Sequence, residues 1–142
     1  MNLPKINKKI CEDIIWIIGP QRSGTSITGK IIGSLKDIEY FYEPELIFSL
    51  LPAIKKIDKK IWSIIFETYV VEDLLFNSLS GRKINLKKFE ESYIENYQTK
   101  KNILERLNSK FRKKNFGKKI KKIKIVIKIP DCIKYFIDYQ KI

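Results

Sequence analysis

The densest set of chemically useful residues in the chain lies between Gly19 and Ser26, in the order Gly-Pro-Gln-Arg-Ser-Gly-Thr-Ser. Between a strand and a helix, such a loop gathers successive backbone N–H groups around one point at the positive end of the helix dipole. It then holds a phosphate or sulfate with few side-chain charges. Gly24 lets the main chain approach an anion closely, and the hydroxyls of Thr25 and Ser26 are donors for its oxygens. Arg22 supplies the cation, whose planar fork suits two oxygens at once. The plainer reading of the same residues is a tight strand-to-helix turn without a ligand. The nucleoside-triphosphatase loop has the same length but needs a Lys directly after its second glycine, and here that position is Thr25.

The arrangement G-x-x-[RK]-[ST]-G-[TS]-[ST] resembles the 5′-phosphosulfate loop of sulfotransferases that use 3′-phosphoadenosine 5′-phosphosulfate (PAPS). Two later segments look like the same family and stand in its order: Tyr40-Phe41-Tyr42-Glu43-Pro44 and Val126-Ile127-Lys128-Ile129-Pro130-Asp131. The resemblance implies that Gln21, Arg22, Ser23, Gly24, Thr25 and Ser26 bind the cofactor and that Arg22 also serves the reaction. It implies that Glu43 is the general base, because an acceptor hydroxyl or amine must lose a proton as it attacks sulfur. Lys128, at the end of a central strand, would stabilise charge on the oxygen that departs. The plain alternatives are that Glu43 caps a helix begun at Pro44 and that Lys128 is one more lysine in a lysine-rich chain. In the family, an Arg and a Ser that bind the 3′-phosphate follow on the next strand and helix, beyond Ile142. The resemblance therefore implies the N-terminal portion of a sulfotransferase, with the sheet incomplete.

The elements that position these residues are legible in the apolar pattern. Ile14 to Ile18 is apolar at every position, as expected of a strand buried on both faces of a parallel sheet, and the preceding Met1 to Asp13 reads as a polar lead. Ile27, Ile31 and Leu35 recur at helical spacing, which predicts a helix over Thr25 to Leu35 with that stripe as its apolar face. Ile38 to Tyr42 reads as a second short strand, and Pro44 starts a helix towards Ala53. Asp58 caps a longer helix, whose apolar stripe is Ile61, Ile64, Ile65, Thr68, Leu75, Phe76 and Leu79, ended by Ser80-Gly81. A third helical region is expected from Leu86 to Asn108. Ile123 to Ile127 reads as another strand, ended by Pro130, and Asp131 caps a last helix with Ile133, Phe136 and Ile137. The expectation is one α/β domain over 1–142, a phosphate-loop-type parallel sheet flanked by helices.

Composition narrows the chemistry further. The chain has no His, so no mechanism that needs imidazole as base or ligand is open to it, and the type of sulfotransferase with a His base fits poorly. The two cysteines, Cys11 and Cys132, have no metal-ligand or disulfide spacing, and no metal site is expected. The net charge of +13 suggests an anionic partner, although the excess of Lys and Ile also fits a compositional background. A basic run from Arg106 to Lys128 without an acidic residue admits a nucleic-acid-binding module as a further reading, against a solvated helix end. A nucleotide-dependent kinase is the other alternative. No apolar run reaches the length of a membrane span and no leader precedes the first strand, so a cytoplasmic protein is expected.

Overall fold

A computed structural model describes residues 5–108, 120, 122–130 and 135. The elements are α1 (Lys5–Glu12), β1 (Ile15–Gly19), α2 (Thr25–Gly33), β2 (Ile38–Tyr42), α3 (Glu45–Leu50) running into a 3-10 turn (Leu51–Lys56), α4 (Lys59–Thr68), a π-helical stretch (Tyr69–Phe76), α5 (Asn77–Leu79), a second 3-10 turn (Ile94–Asn96), α6 (Lys100–Leu107) and β3 (Lys124–Pro130). The chain is thus mixed α/β, with a three-stranded parallel sheet of order β1-β3-β2 flanked by helices. Among the described residues, no helix is long and apolar enough to cross a membrane. The helix expected after Asp131 lies outside the described residues.

Among the described residues, the last strand in sequence is the middle one in space. β3 is buried at every position from Ile125 to Pro130, because it has a neighbour on each edge and helices on its faces. β1, expected to be buried on both faces, is only partly buried instead, with Ile15 at 43% exposure and one strand neighbour among the described residues. The segment before it, read as a polar lead, forms α1 and packs Ile10 and Cys11 against the core. There burial pushes the Cys11 thiol up to about 12, with Glu67 and Glu12 adding to the effect.

The expected helix after the loop forms over Thr25–Gly33, but with the opposite face inward. Ile27, Ile31 and Leu35 are 63%, 61% and 57% exposed, while Gly29 and Gly33 are buried against Tyr40 of β2. A Cβ at Gly29 would lie 2.4 Å from the Tyr40 ring, and one at Gly33 would lie 2.7 Å from the Tyr40 Cβ. Two glycines four residues apart let the helix backbone meet the sheet at a distance no side chain allows. Tyr40 cannot easily yield, since it is 3% exposed and its ring stands edge-on to Tyr97 at 5.3 Å.

Asp58 caps α4 as expected, its carboxylate accepting from the Lys60 and Ile61 N–H groups. The buried stripe, however, runs through Trp62, Phe66, Val70, Val71 and Leu75, and Ile61 and Ile64 are 54% and 42% exposed. Trp62 and Phe66 stack at 5.7 Å and Phe66 meets Trp16 of β1 at 6.1 Å, so the large rings claim the inward face. Steps of four and five residues outrun the 3.6-residue turn, and the π-helical stretch widens the helix enough to keep Leu75 and Leu79 in the core.

The helix expected over Leu86 to Asn108 is confined to α6, with turns before it. Asn85 ties that turn region to itself, accepting from the Lys87 N–H and donating to Glu90 and Ser92, the local bonding that competes with helix. Thr99 then caps α6. Arg106, at the head of the basic run, is not a solvated charge. It forks onto buried Glu39 at 2.7 and 3.0 Å, and Ser78 donates to the same carboxylate at 2.9 Å, joining β2, α5 and α6. Most of the remaining basic run lies outside the described residues.

Two stability predictions follow from this packing. Gly29→Ala should lower unfolding free energy in urea titrations by about 1–3 kcal/mol despite alanine's better helix propensity, because the added methyl overlaps the Tyr40 ring. An unchanged midpoint would mean that α2 does not sit this close to β2. Arg106→Ala should cost about 3–5 kcal/mol in the same measurement by leaving the Glu39 carboxylate buried without its counterion.

Candidate functional site

Parallel pairing brings the carboxyl ends of all three strands to one edge of the sheet. Gly19 stands opposite Pro130, and both Ile17 and Tyr42 stand opposite Lys128. The loop that leaves β1, the residue that follows β2 and the penultimate turn of the β3 pleat therefore open onto one cleft. Its volume is about 710 Å³, and Gln21, Arg22, Gly24, Thr25, Ser26, Glu43 and Lys128 all line it.

Local backbone geometry explains how the loop folds. Arg22 and Gly24 both have positive φ, 65° and 82°, and they curl the chain on either side of Ser23. Alternation of this kind turns consecutive amides towards a common side. The first intrahelical bond of α2 runs from the Thr28 N–H to the Gly24 carbonyl, so the amides of Thr25, Ser26 and Ile27 precede any helical acceptor. Gly19 is required where the loop returns, because a Cβ there would lie 2.9 Å from both Ser23 Oγ and Thr25 Cγ2.

Ser23 is the one sequence-assigned residue that the cleft does not include. Its N–H and its hydroxyl both donate to the Pro20 carbonyl, at 3.3 and 2.7 Å, so it braces the loop from within. Arg22 is exposed and forms no ion pair among the described residues.

Glu43 and Lys128 meet directly. The Lys128 ammonium donates to Glu43 Oε1, and the Glu43 N–H donates to the Lys128 carbonyl at 2.9 Å, adding a rung to the β2–β3 ladder. Lys128 is 4% exposed and its Nζ lies 4.6 Å from the centroid of the Tyr42 ring, so the charge is held by a carboxylate and a π face. Glu43 adopts φ 45°, a conformation costly for a residue with a Cβ and characteristic of sites where surrounding structure imposes it.

Three further residues at the cleft escaped sequence reasoning: Lys30, Tyr42 and Glu91. Lys30 lies one helical turn after Ser26, so the loop's own helix gave a signal for it. Tyr42 adjoins Glu43. Glu91 comes from the turn region before α6, and nothing in its spacing ties it to the loop. Its carboxylate accepts from Lys30 Nζ at 2.5 Å, and this bond and charge, with a lesser contribution from Lys128, hold it below the usual carboxylate range.

Chemically, the cleft offers cations at Arg22, Lys30 and Lys128, carboxylates at Glu43 and Glu91, and main-chain amides at a helix start. That inventory suits an anion with several oxygens. Among the described residues no group of acidic or thiol side chains is arranged to hold a metal ion. No protein-family profile, no curated protein and no solved structure matches this chain.

Proposed function

We propose that this chain carries the phosphosulfate-binding and proton-transfer half of a PAPS-dependent sulfotransferase site, built on a phosphate-loop type of parallel sheet. The observation that carries the reading is the convergence of the loop, the Glu-Pro segment and the Lys-x-Pro segment, distant in sequence, on one cleft at the carboxyl edge of the sheet. The two strained non-glycine residues at that cleft, Arg22 and Glu43, add to it, since such backbone costs concentrate at functional sites.

The residues present fit the 5′-phosphosulfate end of PAPS. The amides of the loop and the start of α2 suit an anion, Gly24 leaves room for its approach, and the exposed guanidinium of Arg22, which forms no ion pair among the described residues, can fork onto its oxygens. PAPS, when bound, supplies the sulfuryl group that is transferred to an acceptor oxygen or nitrogen. Glu43 takes the proton that the acceptor loses, onto a side-chain oxygen beside the cleft. Lys128, buried at the end of β3, offers its ammonium to the phosphate oxygen on which negative charge collects. In the absence of ligand, Lys128 and Glu43 neutralise each other. An anion that draws the ammonium towards itself frees the carboxylate to act as a base, so binding and proton transfer are coupled through this pair.

The kinase reading gains no support from the loop, where Thr25 follows Gly24. The nucleic-acid reading loses Arg106, which is committed to Glu39 and Ser78.

Calorimetric titration with adenosine 3′,5′-bisphosphate tests the proposal. Arg22→Ala should weaken binding at least about tenfold, the scale of a lost charge-assisted hydrogen bond. Glu43→Gln should bind the bisphosphate undiminished, because its carboxylate serves proton transfer and not the anion. Binding that ignores the Arg22 change, or a larger stabilisation by ATP with magnesium than by the bisphosphate, would sink the sulfotransferase reading.

A further inference from the structure

The cleft holds two lysines and two carboxylates in pairs, and the two pairs differ in how firmly they are fixed. Glu43 is anchored by its own backbone rung to β3 and by Lys128, whose side chain is 5% exposed. Glu91 bonds Lys30 with side chains 57% and 25% exposed, from a turn outside the sheet. An exposed ion pair contributes little to stability, so the second pair is the one that opens cheaply.

We infer that Glu91 is an internal stand-in for the anionic ligand: it occupies Lys30 in the ligand-free cleft, and an entering diphosphate-like anion takes Lys30 from it. The inference rests on the anion-binding part of the function proposed above, and not on the ligand being PAPS. Among the described residues, three lining cations against two lining carboxylates leave a surplus of one positive charge, less than an anion carrying two or more negative charges requires. Release of Glu91 raises that surplus without disturbing the buried Lys128–Glu43 pair. Lys30 stands on α2 one turn after Ser26, on the side of the helix that faces the cleft, so it reaches the ligand without backbone movement. The turn that carries Glu91 is closed by its own bonds, from Asn85 to Glu90 and Ser92 and from the Ile94 N–H to the Asn85 carbonyl. It therefore keeps its shape when the carboxylate swings away, and the pair acts as a latch between that turn and α2.

Inorganic pyrophosphate, titrated calorimetrically into the whole chain, is the probe. Glu91→Gln should bind it about two- to fivefold more tightly than the unaltered protein, the range that an exposed ion pair supports. Lys30→Met should bind it several-fold more weakly. Equal or weaker binding by Glu91→Gln, or unchanged binding by Lys30→Met, overturns the latch while leaving the anion site standing. Failure of the unaltered protein to bind pyrophosphate overturns both.

Discussion

The insertion of β3 between β1 and β2 is the constraint on which everything else depends. Parallel strands share a direction, so their carboxyl ends lie on one edge, and the register sets Lys128 level with Ile17 and Tyr42. A loop leaving β1, a glutamate following β2 and a lysine near the end of β3 then have no choice but to face one another. Burial of β3 on both faces supplies the driving force, since its isoleucines and valine are removed from water only when both neighbours and the flanking helices are present.

Helix α2 is held against this sheet by the absence of side chains. Gly29 and Gly33 bring its axis close to Tyr40, which fixes where its first turn points and so where the amides of the loop gather. The apolar stripe of Ile27, Ile31 and Leu35 faces outward as a consequence. Periodicity counts apolar side chains and takes the larger ones as the buried face, so it is blind to a contact made by backbone. The same blindness appears on α4, where Trp62 and Phe66 bury a face that a count of isoleucines puts elsewhere.

Electrostatics divide the cleft into fixed and exchangeable parts. A lysine as buried as Lys128 requires a counterion, and Glu43 supplies it at the cost of a left-handed backbone. Lys30 has a partner that water can replace, and Arg22 has none among the described residues. Among the described residues, the charges thus grade from a buried pair through a solvent-accessible one to a guanidinium without an ion-pair partner. Away from the cleft, the Arg106–Glu39–Ser78 cluster is fully committed to holding β2 to the helices.

The amino-acid sequence by itself determined the local features: the strand-to-helix loop from Gly19 to Ser26, the bounds of β2, the Asp58 cap, the strand ending at Pro130, and the absence of any imidazole chemistry. These depend on neighbouring residues, whose backbone preferences act over a few positions. Tertiary structure alone decided that β3 lies between β1 and β2, that β1 has one strand neighbour among the described residues, which faces of α2 and α4 are buried, and that Ser23 braces the loop while Glu91 reaches the cleft. Each of those outcomes is a competition between surfaces far apart in the chain, settled by how closely two backbones approach and by which charge finds a partner. No local pattern records the result of such a competition.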